Sequence, residues 1–348
     1  MDKFFLALLA FTPIALGAVW LNASPIWLFA LSALAIVPLA KYIGEATEEL
    51  TVYTGAGLGG LLNATFGNAT ELIIGVMALQ AGLIEVVKAS ITGSIISNLL
   101  LVLGTAIIFG GWKRRKQTFN ATAAKAAAST LLLAVTALVI PAIFVQTAGS
   151  ATFGLIEELS AAVAVLMIIA YGANLIFTLH THKHLYEADV AKAEAKWSKT
   201  KSVVILLAAT IAVAFMSEIL VGSIEPLVVS LGWTELFIGV IFVAIIGNAA
   251  EHVSAITVAI KDKMDLALQV SIGSATQIAM FVAPALVLVS LFFRNQMSLV
   301  FNTFELVTIV FSVLVVNSIV EDGESHWFEG VQLLVAYLIM AVAFFFHP

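Results

Sequence analysis

Apolar residues run along this chain in long blocks, and polar residues fall mainly in the short breaks between them. A helix that crosses a bilayer needs about 20 mostly apolar residues. Read with its Gly, Pro and charged breakers, the pattern predicts eleven such helices. They fall at roughly 4–21, 25–43, 56–80, 85–111, 122–146, 155–179, 203–222, 234–260, 265–293, 298–320 and 327–346. The first run follows Lys3 and ends at Leu21-Asn22-Ala23. It is long for the core of a signal peptide, and another apolar run begins at once. The expected fold is therefore an all-α integral membrane protein.

Composition agrees. The 348 residues are 61% hydrophobic and 11% charged, with a mean hydropathy of +1.08. Soluble domains carry roughly 25% charged residues, so a single water-soluble core is excluded. There is no cysteine, hence no disulfide and no thiolate metal site. Any metal must be met by oxygen or imidazole, which favours hard cations. The net charge of −6 says less than its distribution. With alternating crossings, all Lys and Arg except Lys88 and Arg294 fall on the side of the N-terminus. The positive-inside rule then places the N-terminus in the cytoplasm and the C-terminus outside. The longest polar segment, His180 to Ser202, is cytoplasmic. Its Glu187, Asp189, Lys192, Glu194 and Lys196 read as a solvated helix, and its alternating His180, His182 and His184 make a poor preformed metal site.

One phrase occurs twice. Gly67-Asn68-Ala69-Thr70-Glu71 is followed by Gly93-Ser94, and Gly247-Asn248-Ala249-Ala250-Glu251 is followed at the same distance by Gly273-Ser274. The two copies align at one constant offset, without a gap. If residues 1–22 are a leading helix, residues 23–180 form one repeat of five spans and 203–348 a second, joined by a cytoplasmic linker at 181–202. Five is odd, so the second repeat crosses in the opposite sense. Inverted repeats around a midplane site are a recurring transporter plan.

Each copy sets a carboxylate midway along a span. A charge there is unfavourable by about 2.5–3.5 kcal/mol on insertion scales and marks a functional site by default. Gly67-Asn68 and Gly247-Asn248 suggest helices that break beside Glu71 and Glu251, freeing carbonyls and aiming the negative end of a half-helix at a cation. The cluster Gly55, Gly57, Gly59 and Gly60 has no matching cluster in the second copy and reads as close helix packing. On the next helix of each repeat, Ser94 with Asn98 and Ser274 with Gln277 share a face and are expected to line the site. The duplication is imperfect there, since Asn98 corresponds to Ile278 and Ser97 to Gln277. Glu85 and Asp265 open those helices, where capping explains them. His252 is a candidate proton relay, though a histidine satisfied between helices is the plainer reading. Glu45, Glu48 and Glu49 at one mouth and Glu218 and Glu225 at the other could concentrate cations.

A calcium ion takes six to eight oxygens in flexible geometry. Two carboxylates, freed carbonyls and a few side-chain oxygens supply that number. Two ionised glutamates with one divalent cation are neutral, and so are two protonated glutamates. The empty, doubly charged site is the state that a low-dielectric barrier resists. This gives a physical route to exchange of one Ca²⁺ against protons.

Gly67-Asn68-Ala69-Thr70-Glu71-Leu72-Ile73 and Gly247-Asn248-Ala249-Ala250-Glu251-His252-Val253 resemble the two signature repeats of the calcium/proton antiporters, within the calcium:cation antiporter superfamily. The resemblance implies Ca²⁺/H⁺ exchange with Glu71 and Glu251 carrying cation and proton, and with Gly67, Asn68, Gly247 and Asn248 at the metal. It implies no cofactor, and partners limited to the lipid bilayer, the two ions and copies of the chain itself, with no nucleic acid. It also implies a compact prokaryotic form in the plasma membrane. The related sodium/calcium exchangers typically carry a further acidic residue on the second repeat's Gly-Ser helix. The matching position here is Ile278, which favours protons. Sodium-coupled exchange is the alternative within the class, and a cation channel with a glutamate filter the alternative outside it. An intramembrane hydrolase lacks support, because no His-Glu-x-x-His or nucleophile-elbow pattern accompanies Glu251-His252.

Overall fold

A computed structural model describes residues 2–149, 153–182 and 195–348. The solvated helix expected around Glu187, Asp189, Lys192 and Glu194, and His184, lie outside the described residues.

Nearly everything described is helical. The chain opens with α1 (Asp2–Leu8) and α2 (Phe11–Trp20), then a long α3 (Pro25–Phe66), α4 (Ala69–Ala81) and α5 (Ile84–Ile96). A π-helical stretch, Ser97–Val102, joins α5 to α6 (Leu103–Gly111). α7 (Ala121–Thr147) and α8 (Phe153–Ile176) complete the first half. The second half holds α9 (Lys199–Gly222), α10 (Ile224–Leu231), α11 (Glu235–Phe237), a π-helical Ile238–Val243, α12 (Ala244–Gly247) and α13 (Ala249–Ile260). α14 (Met264–Gln277) then winds through π-helical Ile278–Val282 into α15 (Ala283–Ser290), before α16 (Thr303–Ile319) and α17 (Trp327–Phe346).

Local chemistry sets the ends. Pro25 starts α3 after Ser24, where its missing N–H costs nothing. The Asn120 side chain accepts from the Thr122 and Ala123 amides to cap α7. Asn302 and Glu305 form a capping box on α16. Gly82, at φ 84°, closes α4 in the left-handed conformation.

By length and composition, eight helices among the described residues could cross a membrane, and nine if Glu235–Gly247 and Ala249–Ile260, bent by 57°, count as one. The two other apolar runs coincide with the shorter helices Ala69–Ala81 and Thr303–Ile319. One boundary differs from the hydropathy reading. Instead of a break between 43 and 56, α3 continues to Gly55, where φ 77° and ψ 173° turn the chain. Gly55 has open space around its Cα, so it serves as a bend rather than a packing contact. Gly59 and Gly60 do pack closely, against Thr51 and Leu179. Gly59 also has a counterpart at the offset of the repeated phrase, Gly239.

α5 and α6 form the most enclosed stretch, with Ile91, Ile95, Leu99, Leu103 and Ile107 all buried. Leu133, Leu166, Leu207, Phe215 and Ile339 lie exposed on the outside of the bundle, as lipid-facing residues do. The loops also segregate. Arg114 pairs with Asp262 at 3.1 Å and Lys116 with Glu324 at 2.5 Å. A two-residue β1 (Gln117–Thr118) pairs antiparallel with β2 (Glu324–Ser325). Those contacts gather three loops at one end. A cavity of ≈ 630 Å³ at another set of helix ends is lined by Glu85, Glu235, Asn302 and Thr303 together with His347 and Pro348.

Candidate functional site

Both copies of the repeated phrase fall at helix breaks. α3 ends at Phe66 and α4 restarts at Ala69, with Asn68 between them at φ −109°, ψ 26°. α12 ends at Gly247 and α13 restarts at Ala249, with Asn248 at φ −90°, ψ 15°. Each restart carries its glutamate in the first turn, Glu71 on α4 and Glu251 on α13. The ending helices present the negative ends of their dipoles at the same places.

The breaks face each other across the two halves. A Cβ built on Gly247 would sit 3.1 Å from Glu71 Cγ and 3.5 Å from Glu71 Oε1. A Cβ on Gly67 would sit 3.9 Å from Gln277 Oε1. The Glu71 carboxyl therefore rests against the second copy's glycine, and Glu251 lies within its electrostatic reach.

Around the carboxylates runs one continuous amide and hydroxyl network. Asn68 Nδ2 donates to Gln277 Oε1. Ser274 Oγ donates to Asn68 Oδ1 at 3.2 Å. Asn98 Nδ2 donates to Ser274 Oγ at 3.1 Å and to Asn248 Oδ1 at 2.6 Å. Asn248 Nδ2 donates to Ser94 Oγ at 2.8 Å and to the Ala244 carbonyl at 2.8 Å. The structure thus brings together all six polar side chains expected at the site, drawn alternately from both halves. Asn98 and Asn248 are fully buried.

The carboxylates are not satisfied by that network. Glu71 Oε1 and Oε2, Glu251 Oε2 and Asn98 Oδ1 are buried without a hydrogen-bond partner. Native proteins rarely leave such atoms unmet, and a hard cation takes this kind of oxygen. Among the described residues no group of three or more His, Cys, Asp or Glu could hold a metal. Any cation here would therefore rely on two carboxylates plus neutral oxygens.

Other expected residues stand apart. His252 has a buried Nε2 with no partner, so the satisfied interhelical histidine is not what forms. Glu45 is paired with Lys41. Glu49 accepts from the Lys196 and Trp197 amides at 2.8 and 3.0 Å, tying α3 to the start of α9. Glu48, Glu218 and Glu225 are exposed. Asp265 accepts from the Asn120 amide at 2.7 Å, a tie between α14 and α7 rather than a cap on its own helix.

Hydropathy gave no sign of two features. Ser97–Val102, which carries Asn98, and Ile278–Val282, directly after Gln277, are π-helical, and such windings recur at functional sites. Glu305 is 1% exposed. Its oxygens accept from Thr92 Oγ1 at 3.0 Å and from the Asn302 amide at 3.0 Å, locking α16 to α5.

The side-chain links suggest a first test. Asn98→Ala removes the residue that joins Asn248 to Ser274. Unmet buried partners cost about 1–3 kcal/mol, so the affinity of this site for a hard cation such as Ca²⁺ is expected to fall about tenfold with expression unchanged. Cation binding to the purified protein, titrated over a range of concentrations, reads this out, and wild-type affinity would count against the network.

Helices broken beside buried carboxylates, inside an otherwise apolar bundle, are the architecture of an ion-transporting membrane protein. The family model described as sodium/calcium exchanger protein matches residues 24–180 and 201–346, and the chain belongs to that family. It is 49% identical to the Ca(2+)/H(+) antiporter of Synechocystis sp., covering 100% of this chain and 98% of that one. It is 46% identical to the Ca(2+)/H(+) antiporter ChaA of Bacillus subtilis, over 98% of each. The solved structure of native YfkE matches with a TM-score of 0.87 at 44% identity, over 99% of this chain and 100% of that one. The H+/Ca2+ exchanger CAX, at 15% identity and a TM-score of 0.74 over 99% of this chain and 92% of that one, shares the fold. These relatives are transporters rather than enzymes.

Proposed function

We propose that this protein is a secondary antiporter that exports Ca²⁺ from the cytoplasm in exchange for H⁺. Glu71 and Glu251 bind either one Ca²⁺ or protons. The observation that carries the reading is the Glu71 carboxyl, set against Gly247 of the other half with both oxygens buried and unmet. The named activity of the Synechocystis and Bacillus relatives supports it.

The finer architecture is part of the proposal. A leading helix in 1–22 precedes two inverted five-helix repeats, 23–180 and 203–348, joined by a linker at 181–202. That makes eleven crossings, with the short α4 and α16 completing spans. The N-terminus is cytoplasmic and the C-terminus extracellular, in the plasma membrane. The gathering of the 112–120, 261–263 and 320–326 loops at one end supports alternating crossings. Gly67, Asn68, Gly247 and Asn248 contribute oxygens at the metal, and Ser94, Asn98, Ser274 and Gln277 hold them in place.

Glu45 and Glu48 stand at the cytoplasmic mouth, Glu218 and Glu225 at the outer one. Their neutralisation should slow uptake at low ionic strength and have little effect at high salt. Equal slowing at both strengths would remove that role.

Sodium coupling is disfavoured by Ile278, which is apolar and buried where a further carboxylate would stand. The test is a binding measurement. Ca²⁺ added to the protein in weakly buffered detergent solution should release about two protons per ion bound, because metal and proton compete for the same oxygens. Ca²⁺ binding without proton release would contradict the shared site.

A further inference from the structure

Equivalent glycines in the two halves have opposite surroundings. On α5, Gly93 is jammed: a Cβ there would lie 2.0 Å from the Val240 carbonyl oxygen and 2.6 Å from Val240 Cα. The contact is reciprocal, since a Cβ on Gly239 would lie 2.5 Å from Ala89 Cβ and 3.0 Å from the Val86 carbonyl oxygen. The π-helical segment before the second Gly-Asn break is thus seated on α5, backbone against backbone.

The counterparts in the other half do not meet in this way. Gly273 on α14 matches Gly93, and Gly59 and Gly60 on α3 match Gly239 and Val240. Among the described residues, nothing lies within 4 Å of a Cβ built on Gly273. Gly59 and Gly60 contact Thr51 and Leu179 instead. The burial pattern repeats the contrast: Gly93 and Ser97 are buried, whereas Gly273 and Gln277 are half-buried. Just before Gly59 stands Gly55, whose positive φ turns α3.

We infer that Gly273 is a vacant seat: in the other state of the transport cycle, residues 59–60 close onto Gly273 as residues 239–240 now close onto Gly93. The seat must be glycine because its partner is a backbone carbonyl, which cannot yield as a flexible side chain would. Gly273 is then a positioning residue. It touches neither ion, and it governs whether the end of the pathway beside Gln277 can shut. The inference rests on the antiporter reading, since only a two-state carrier needs both seats.

The two glycines therefore predict different defects. Gly273→Ala has room in the state described, so its thermal stability in detergent and its equilibrium Ca²⁺ binding should match the wild type. Its exchange rate should fall about tenfold or more, because the added methyl obstructs the closed state. A second readout does not depend on transport. In this cysteine-free chain, Gly60→Cys with Gln269→Cys should be joined by a short bifunctional thiol reagent when the seat closes, and adding Gly273→Ala should lower the yield. Wild-type exchange by Gly273→Ala, an unchanged cross-linking yield, or a stability loss would each overturn the inference. If the wild-type protein fails to exchange Ca²⁺ for protons, the antiporter reading itself fails, and the cross-linking result still decides whether the seat closes.

Discussion

Glu71→Gln and Glu251→Gln are each expected to reduce Ca²⁺ exchange by about 100-fold or more, to the background of empty vesicles. Glutamine keeps the size of the side chain and loses its charge. One remaining carboxylate leaves a bound Ca²⁺ with an uncompensated positive charge at membrane depth, where burial of charge is most costly. The amide also turns one acceptor into a donor facing the cation. Neither change should harm the fold. Glu71 Oε1 and Oε2 and Glu251 Oε2 have no hydrogen-bond partner to lose, and removing an unmet buried charge is neutral or stabilising. Thermal unfolding of each variant at wild-type temperature or above, together with lost uptake, is the expected pair of results. Full uptake by either variant would remove that glutamate from the site.

The second large effect concerns structure. Gly93→Ala is expected to destabilise the protein by about 3 kcal/mol, at the upper end of what an added methyl costs in a tight core. Its Cβ would meet the Val240 carbonyl oxygen at 2.0 Å, and both partners are helix backbone. Relief requires α5 to move away from residues 238–243. That movement would also pull on the links from Asn98 to Asn248 and from Asn248 to Ser94. A lower unfolding temperature in detergent and a lower yield of folded protein should accompany weaker Ca²⁺ binding. Wild-type stability would show that this crossing is looser than described.

Much of the site could be read before the structure, because it is written as types and spacings. Two Gly-Asn pairs, each ahead of a glutamate and repeated in register, name both helix breaks and both carboxylates, and the structure joins Asn68 and Asn248 in one side-chain network through Ser274 and Asn98. Hydropathy located the apolar runs for the same reason, since burial in lipid acts on every residue of a span. What it could not reach depends on facing rather than type. α3 passes through the boundary expected at 43 and bends at Gly55, since a single positive φ decides this and nothing in composition marks which glycine takes it. Glu85 reads as a capping residue yet lines a cavity. No motif marks Glu305, and its tie to Thr92 requires knowing that α16 lies on α5. The different surroundings of Gly93 and Gly273 are the clearest case: a phrase repeated at one spacing says nothing about which copy's glycine meets a neighbouring backbone.

The proposed exchange has protons, not sodium, drive Ca²⁺ through a site shared by two glutamates. It is tested most directly by ⁴⁵Ca²⁺ uptake into vesicles containing the purified protein, under an imposed pH gradient and then under an imposed sodium gradient. Uptake that follows the pH gradient, is indifferent to sodium and is absent from Glu71→Gln and Glu251→Gln is the predicted result. Uptake driven by sodium alone, or conductive Ca²⁺ flux that needs neither gradient, would contradict it.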